Sequence, residues 1–314
     1  MTYDVHTHVG LDLAFYLRGF WPYAETAQAL LGHMDAHGID RAVAFPFVVS
    51  SAFDPYAFSA AGKLELLPGR VPYDRENQLL LREIEQRDDS GRLLFFAMFD
   101  PARCVEQQMA NLMPIVARTN GLKTQTTVTQ SPIAELLDNG RPFMELAEQH
   151  DLPVVIHTAV HPDDPWAQVA DCIRVAKKYP RVRFNLAHSL RFHSGFLAEA
   201  ASMPNVWVDC SAHLAHCALA REDSPAVARA DERVDADYAD PGQVLEAVYA
   251  ILGDRYMWGT DNPFMSWSDG SIDLIFTYKA EVEVLRAVSP DVRTSMAGTA
   301  PEAWLGSAAV SRVK

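Results

Sequence analysis

Two histidines stand two residues apart near the start of the sequence, where the stretch DVHTHVG (residues 4–10) contains His6 and His8. In a β-strand, side chains two residues apart point to the same face, so this spacing would place both imidazoles together. Their nitrogens must be satisfied by hydrogen bonds or by a shared ligand, and the commonest shared ligand is a metal ion. The motif alone predicts a metal site no more strongly than it predicts two histidines on an exposed edge strand.

Three more polar residues end apolar runs elsewhere in the chain. His157 ends the run VVIH, His188 ends FNLAH and Asp261 ends MWGTD. A polar group in such a place is costly unless it is paired. Imidazole nitrogens with a carboxylate oxygen, and without a thiolate, suit Zn²⁺, Mn²⁺ or Fe²⁺ with one coordination position left open. A metal site therefore requires a fold that brings the ends of these runs together.

Eight short apolar or β-branched runs alternate with helical patterns along the chain. Alternation with continuously apolar strands predicts a parallel sheet covered on both faces, and eight units predict closure into a (β/α)8 TIM barrel of the α/β class. An open doubly wound sheet is the alternative, but no G-x-G-x-x-G turn follows the first run. The predicted strands are residues 3–8, 41–49, 93–100, 121–128, 153–160, 182–189, 205–212 and 256–261.

The helical patterns and the connections favour one domain. Pro165 and Pro241 stand near the starts of two predicted helices. No Gly/Ser-rich linker divides the chain, so residues 1–314 are interpreted as a single barrel with a C-terminal helical tail from about 290 to 314. The carboxyl ends of barrel strands share one mouth, which would bring the four histidines and Asp261 together.

Composition limits the partners and the compartment. The 314 residues include 27 Lys and Arg against 41 Asp and Glu, and the formal net charge of −14 disfavours nucleic acid and anionic membrane surfaces. The longest apolar runs, such as residues 42–49, are far shorter than the ~20 residues of a membrane span. The N-terminus lacks the basic stretch of a secretory signal, and the four cysteines show no C-x-x-C spacing. We therefore expect a cytoplasmic protein whose partner is a small-molecule substrate.

Seven stretches, in chain order, resemble the amidohydrolase superfamily and, within it, the amidohydrolase-related branch that also contains aminocarboxymuconate semialdehyde decarboxylase-like enzymes. They are DVHTHVG, HGIDRAVAFP, GLKTQ, VVIHT, NLAHS, GTDNP and GTAPEAWLG. The resemblance covers nearly the whole chain and implies the same barrel. It also implies a metal site with ligands from His6, His8, His157 and Asp261, with His188 close to the metal-bound water or the substrate oxygen.

The residue types at this site suggest their roles. A divalent ion can lower the pKa of bound water from ~15.7 to ~7. Asp261, as ligand and base, is placed to take a proton from that water and pass it to a leaving group. His188 can donate a hydrogen bond to a developing oxyanion. Asp4 is interpreted either as a structural partner of the first strand or as a group that supports a metal ligand.

Lys123 bears on the number of metal ions. Binuclear members of the resembled superfamily use a carboxylated lysine at the end of strand 4 to bridge two ions. In GLKTQTT, Lys123 stands near the expected start of that strand, with four residues still to come. We therefore predict that it pairs with an acidic group or a substrate carboxylate. One divalent ion, zinc before manganese or iron, is favoured over two ions bridged by carboxylated Lys123.

Loops on the same side of the barrel supply candidate substrate contacts. The loop after the first strand contains Arg18 and Trp21, a combination that suits a planar or unsaturated carboxylate and equally fits a loop packed back onto the barrel. Lys123 and Arg191 are the other cations expected near the mouth. The acidic segment, residues 221–240, is interpreted as a solvated loop or as a contact in a homo-oligomer.

Three functions fit these residues. The first is a metal-dependent hydrolase that cleaves an amide or lactone bond of a small molecule. The alternative is a metal-dependent, non-oxidative decarboxylase (carboxy-lyase) or hydratase that acts on an unsaturated or aromatic carboxylic acid. Both chemistries occur in the resembled branch. The third, a barrel that keeps a metal only for structure, is disfavoured because an accessible site retains an open coordination position.

Overall fold

The computed structural model describes residues 1–268 and 272–311. The strands in these residues are β1 (Tyr3–Leu11), β2 (Ala24–Glu25), β3 (Arg41–Pro46), β4 (Leu93–Met98), β5 (Gly121–Thr124), β6 (Val154–Ile156), β7 (Phe184–Leu186), β8 (Val206–Asp209), β9 (Tyr256–Met257), β10 (Ser266–Ser268) and β11 (Asp273–Ile275). The helices are α1 (Leu13–Arg18), α2 (Ala27–His37), α3 (Pro55–Ala61), α4 (Asp74–Arg87), α5 (Val105–Leu112), α6 (Thr126–Thr129), α7 (Arg141–Gln149), α8 (Val169–Lys178), α9 (Ser194–Ala201), α10 (His213–Arg221), α11 (Pro241–Leu252), α12 (Tyr278–Ala287), α13 (Pro290–Thr294) and α14 (Ala300–Ser311).

One curled sheet contains β1 and β3 to β9 as parallel neighbours in chain order, with β2 antiparallel to β1. Backbone hydrogen bonds continue from the segment after β9 to β1. The His8 amide donates to Asn262 O over 2.6 Å, and the Asp261 amide donates to His6 O over 2.8 Å. These bonds close the eight parallel strands into the predicted barrel.

β4 shows how the strands divide the core. Its odd-numbered residues, such as Phe95, belong to the apolar cluster beneath the helices, and its even-numbered residues, such as Phe96, belong to the cluster inside the barrel. This division follows from the alternation of side chains along a strand. Trp304 of α14 packs against Phe96, with 5.5 Å between ring centroids. The first residue of β5, Gly121, must be glycine because a Cβ there would lie 2.1 Å from the Phe96 ring.

Several predicted boundaries were wrong. β5 ends at Thr124 rather than at residue 128, because Gln125 Oε1 accepts a hydrogen bond from the Val128 amide over 3.0 Å and caps α6. The helix expected from Pro165 begins at Val169. The short strand β2 and the hairpin of β10 and β11 were not predicted.

The structure also bears on membrane spans and on the cysteines. Among the described residues, no helix combines the length and the apolar character needed to cross a bilayer. The cysteines are free thiols, and three of them, Cys172, Cys210 and Cys217, are buried. The apolar surroundings raise the pKa of each buried thiol, which makes these three poor nucleophiles.

Candidate metal centre

β1 supplies both histidines, and hydrogen bonds fix their rings. His6 Nδ1 lies 2.9 Å from Asp209 Oδ2, and His8 Nδ1 lies 2.9 Å from Pro46 O. A carbonyl or a carboxylate only accepts, so both Nδ1 atoms carry the proton and both Nε2 atoms keep a lone pair. These Nε2 atoms face Asp261 Oδ1 at 3.3 Å from His6 and 3.4 Å from His8.

Asp261 reaches β1 through a close backbone approach. Two residues earlier, a Cβ on Gly259 would lie 2.8 Å from His6 Cβ, so glycine is required there. Asp261 itself has a φ of 66°, a left-handed conformation that Asp adopts more readily than most residues. The sequence GTD thus brings the carboxylate beside the two imidazoles.

This donor set fits a divalent ion. One ligand atom from each of His6, His8 and Asp261 lies within 4.8 Å of the others, and all three residues are buried. Imidazole Nε2 atoms with a carboxylate oxygen are ligands that Zn²⁺, Mn²⁺ and Fe²⁺ accept. The hydrogen bond at each Nδ1 also orients its ring, which is typical of metal-binding histidines.

Asp209, at the end of β8, is buried and accepts several hydrogen bonds. Asn185 Nδ2 donates to Oδ2 over 2.7 Å, and Ser211 Oγ donates to Oδ1 over 2.6 Å. Burial alone would raise the pKa of Asp209, but the hydrogen bonds from His6 and from these donors outweigh it and leave the pKa well below its ordinary value. Asp209 was not predicted as a site residue, although it ends the run VWVD much as Asp261 ends MWGTD.

Lys123 lies at the carboxyl end of β5, next to its last residue, and not near the strand's start as expected. Its Nζ is 3.2 Å from His6 Nε2 and 5.2 Å from the centroid of the Phe45 ring. The side chain is fully buried, and this burial lowers the pKa of Lys123 to about 8. The lysine is therefore part of the wall around the candidate metal ligands.

His157 and His188 form a pair after β6 and β7, and the His188 ring lies 5.3 Å from the His6 ring between centroids. His157 Nδ1 lies 2.8 Å from His188 Nε2. Arg191 extends the group: its Nη2 is 3.2 Å from His157 Nε2, and its Nη1 contacts His216 Nε2. Burial, followed by the charge of Arg191, holds the pKa of both paired histidines well below the ordinary value. His157 is thus not in the compact group formed by His6, His8 and Asp261.

A left-handed turn aims His188 and Arg191 into the mouth. Residues 188–192 all have φ between 47° and 65°, a conformation that costs about 1–2 kcal/mol for each non-glycine residue. The acidic segment covers this turn. Its Ala228 amide donates to Arg191 O over 2.9 Å, and its Val234 amide donates to Phe192 O over 3.0 Å. The expected solvated loop therefore has a buried apolar side that braces the turn.

Asp4 ties β1 to the segment after β9. Its carboxylate accepts hydrogen bonds from Thr260 N over 3.0 Å and from Thr260 Oγ1 over 2.7 Å. It also accepts one from the His6 amide over 3.2 Å. Burial raises the pKa of Asp4 to about 7. These contacts favour the structural interpretation of Asp4.

Two adjoining cavities open at the mouth. The metal cavity, of about 220 Å³, contains the three compact ligands together with Lys123, His157, His188, Arg191 and His216 in its wall. The outer cavity, of about 510 Å³, is lined by Arg18 and Trp21 among others. Neither Arg18 nor Trp21 lines the metal cavity. His216, on α10, was not predicted, although it stands three residues after His213 on the same helix.

Comparisons with known proteins identify the family. A sequence model of the amidohydrolase family matches residues 3–307. Curated protein sequences give no match. The predicted resemblance to the amidohydrolase superfamily is confirmed by the family match.

Solved structures share the fold at low sequence identity. An amidohydrolase from Burkholderia multivorans with bound zinc is 15% identical, with a TM-score of 0.62 and coverage of 97% of this chain and 99% of that chain. The 2,6-dihydroxybenzoate decarboxylase from Rhizobium is 15% identical, with a TM-score of 0.61 over 97% and 98%. The 5-carboxyvanillate decarboxylase from Novosphingobium aromaticivorans, complexed with manganese and 4-hydroxy-3-methoxy-5-nitrobenzoic acid, is 14% identical, with a TM-score of 0.60 over 97% and 96%. The predicted barrel fold is confirmed.

Proposed function

The chain belongs to the amidohydrolase family, and from this premise we propose that it is a metal-dependent enzyme that removes carbon dioxide from a small unsaturated or aromatic carboxylic acid. Two of the structures that share its fold are decarboxylases of aromatic acids. Their identity to this chain supports the fold alone, so the proposal rests on the residues of the metal cavity.

The observation that carries the proposal is a buried guanidinium without a carboxylate partner. Arg191 is 4% exposed and lines the metal cavity. Its Nε donates to Thr158 O over 2.7 Å, and its other contacts are the histidines 157 and 216. No carboxylate of the described residues lies within 4.0 Å of it. Burial lowers the pKa of Arg191 to about 10, and a substrate carboxylate would offset the cost of this buried charge with a bidentate ion pair.

The wall of the metal cavity also fits a flat substrate. Phe15, Phe264 and Trp267 line it together with Val48 and Val128. Aromatic and aliphatic side chains favour a planar apolar ring, while the cations at the other side bind its acid group. A volume of about 220 Å³ is suited to a substrate with one ring in this cavity.

These residues can divide the work of decarboxylation. A divalent ion bound by His6, His8 and Asp261, with His157 as the further predicted ligand, would supply Lewis acidity to an oxygen of the substrate. Arg191 orients the carboxylate. Asp261, in its protonated form, delivers a proton to the carbon that bears the carboxylate, and the bond from that carbon to the carboxylate then breaks.

The electron pair of the broken bond returns to the unsaturated system, carbon dioxide leaves, and a C–H bond remains. Asp261 recovers its proton from water. His188 lines the same cavity, and its Nε2 accepts a hydrogen bond from His157 Nδ1 over 2.8 Å, which orients the His157 ring.

Hydrolysis of a lactone or an amide is the second candidate, and the position of Lys123 favours it. The lysine lies at the end of its strand with Nζ 3.2 Å from His6 Nε2, the place where a carboxylated lysine would bridge two ions. In that reaction Asp261 would transfer the proton of the attacking water to the leaving group.

Product analysis separates the two reactions. Protein loaded with Mn²⁺ or Zn²⁺ is incubated in D₂O with hydroxybenzoates and unsaturated acids, and in parallel with uncharged lactones and amides. We expect release of carbon dioxide and one deuterium at the carbon that lost the carboxylate. Consumption of the lactones or amides, with no carbon dioxide from any acid, would overturn decarboxylation in favour of hydrolysis.

A further inference from the structure

The outer cavity adjoins the metal cavity and shares a wall with it. Phe15, Phe264, Ser266 and Trp267 line both. The remaining lining of the outer cavity comes from the loop at the end of α1 and from the β10–β11 hairpin. These residues are Arg18, Gly19, Phe20, Trp21, Ser268, Asp273 and Ile275.

A series of aromatic rings connects a candidate metal ligand to the outer cavity. The ring of His8 lies 5.2 Å from that of Phe264, and Phe264 lies 6.3 Å from Phe15. Phe15 lies 6.1 Å from Phe20, and the guanidinium of Arg18 lies 4.3 Å above the Phe20 ring. A ligand that occupied both cavities would therefore contact aromatic surface along its whole length.

The outer rings are solvent-exposed, which is unusual for side chains of this size. Trp21 is 57% exposed, and Phe20 is 39% exposed. Neither belongs to the two apolar clusters of the core. Among the described residues, the charged side chains in this lining, Arg18 and Asp273, have opposite signs, so the described lining has no net charge with which to attract an ion. These features favour an uncharged flat group as its occupant.

We propose that the outer cavity binds a second, uncharged flat group of the substrate, whose carboxylate end lies in the metal cavity. This inference rests on the proposed function for the identity of the carboxylate end. It makes two-ring carboxylic acids, rather than single-ring acids, the preferred ligand class. The metal cavity has room for one ring, and its shared wall leads the remainder of the molecule outward to Phe20 and Trp21.

Calorimetric titration of the metal-loaded protein tests the subsite without relying on turnover. The probes are benzoate and biphenyl-3-carboxylate, which differ by one phenyl ring and lack the hydroxyl group that promotes decarboxylation. We expect the Kd of biphenyl-3-carboxylate to be at least about tenfold lower, which corresponds to about 1.4 kcal/mol. Trp21→Ala and Phe20→Ser should each reduce this ratio towards one. Tyr56→Ala, an exposed aromatic residue outside both cavities, should preserve it.

The results separate the subsite from the reaction. Equal Kd values for the two probes in wild-type protein would overturn the subsite, even if a single-ring acid is decarboxylated. A ratio that depends on Trp21 would support the subsite, even if no acid loses carbon dioxide. Light scattering measures whether a second copy of the chain covers these rings instead. If wild-type protein is a dimer, Trp21→Ala is a monomer and the ratio of Kd values is unchanged, the rings form a dimer interface and the inference is overturned.

Discussion

The two sides of the barrel mouth differ in the charge that they are arranged to bind. On the side of β1 and β9, the Nε2 lone pairs of His6 and His8 face a carboxylate oxygen of Asp261. On the side of β6 and β7, His157 and His188 contact each other, and Arg191 lies beside them without a carboxylate partner among the described residues. The first side suits a cation and the second an anion.

This difference teaches that similar residues acquire different functions through their neighbours. The four histidines lie on or after three strands, but the pair on β1 faces the carboxylate of Asp261, whereas Arg191 lies beside the pair that follows β6 and β7. A small carboxylic acid that bridges a metal ion and a guanidinium would use both sides. Substitutions on the two sides should therefore separate metal binding from substrate binding.

Removal of the β1 histidines should have the largest effect, which is the loss of the bound metal ion. The double variant His6→Ala/His8→Ala loses two of the three compact ligands, so we expect wild-type protein to contain about one metal ion per chain and the variant to contain none. Elemental analysis of unchelated protein measures this. His33→Ala/His37→Ala, on α2, is the matched control and should keep its metal. About two ions per wild-type chain would instead indicate a bridge at Lys123.

Loss of the guanidinium should affect catalysis and spare the metal. Arg191→Gln removes the proposed anchor for the substrate carboxylate, so we expect kcat/KM for an acid substrate to fall about 100-fold or more, with unchanged metal content. Steady-state kinetics and elemental analysis measure the two effects. Arg174→Gln, an exposed arginine on α8, should behave as wild type. Wild-type kcat/KM in Arg191→Gln would exclude this anchor and remove the main support for an acidic substrate.

Much of the fold and part of the site could be predicted because they follow from local patterns. Apolar runs that end in a polar residue marked the strands, and the shared mouth of a barrel indicated that His6, His8 and Asp261 would meet. The predicted position of Lys123 within its strand was wrong because β5 ends where Gln125 caps the next helix, and periodicity does not reveal this cap.

Other features depended on tertiary contacts that no pattern in the sequence contains. Asp209 became important only when β8 was placed beside the His6 ring. Arg18 and Trp21 line the outer cavity together with residues of the β10–β11 hairpin, which was not predicted. The left-handed turn that carries Arg191 could not be predicted either, because none of its residues is glycine.

Asp209→Asn should weaken metal binding less than the loss of both β1 histidines does. The amide is neutral and offers His6 Nδ1 a poorer acceptor, so the ring is less firmly oriented and its Nε2 is a weaker ligand. We expect metal affinity to fall about 10- to 100-fold, measured by competition with a chelator of known affinity. Asp254→Asn, at an exposed position, is the control. An unchanged affinity would show that His6 needs no carboxylate at Nδ1.

The smallest expected effect concerns a second buried carboxylate, Glu281 of α12, which contrasts with Asp209. Its Oε1 accepts a hydrogen bond from the Leu214 amide over 3.1 Å, whereas its Oε2 has no hydrogen-bond partner in the described part of the chain. Burial therefore dominates and raises the pKa of Glu281 to about 8. The folded protein retains this proton at pH values where the unfolded chain has lost it. Consequently, the contribution of Glu281 to the free energy of unfolding must fall as pH rises from the unfolded pKa towards about 8.

Glu281→Gln removes this titration and should flatten the pH dependence. Between pH 5.5 and pH 8 we expect wild-type protein to lose on the order of 2–3 kcal/mol more stability than the variant, measured by urea unfolding at both pH values. Glu283→Gln, on the same helix and exposed, should follow wild type. Equal losses in wild type and Glu281→Gln would show that the Glu281 carboxylate is ionised in the folded protein. In that case, the number of hydrogen-bond donors would not explain why buried carboxylates in this barrel differ.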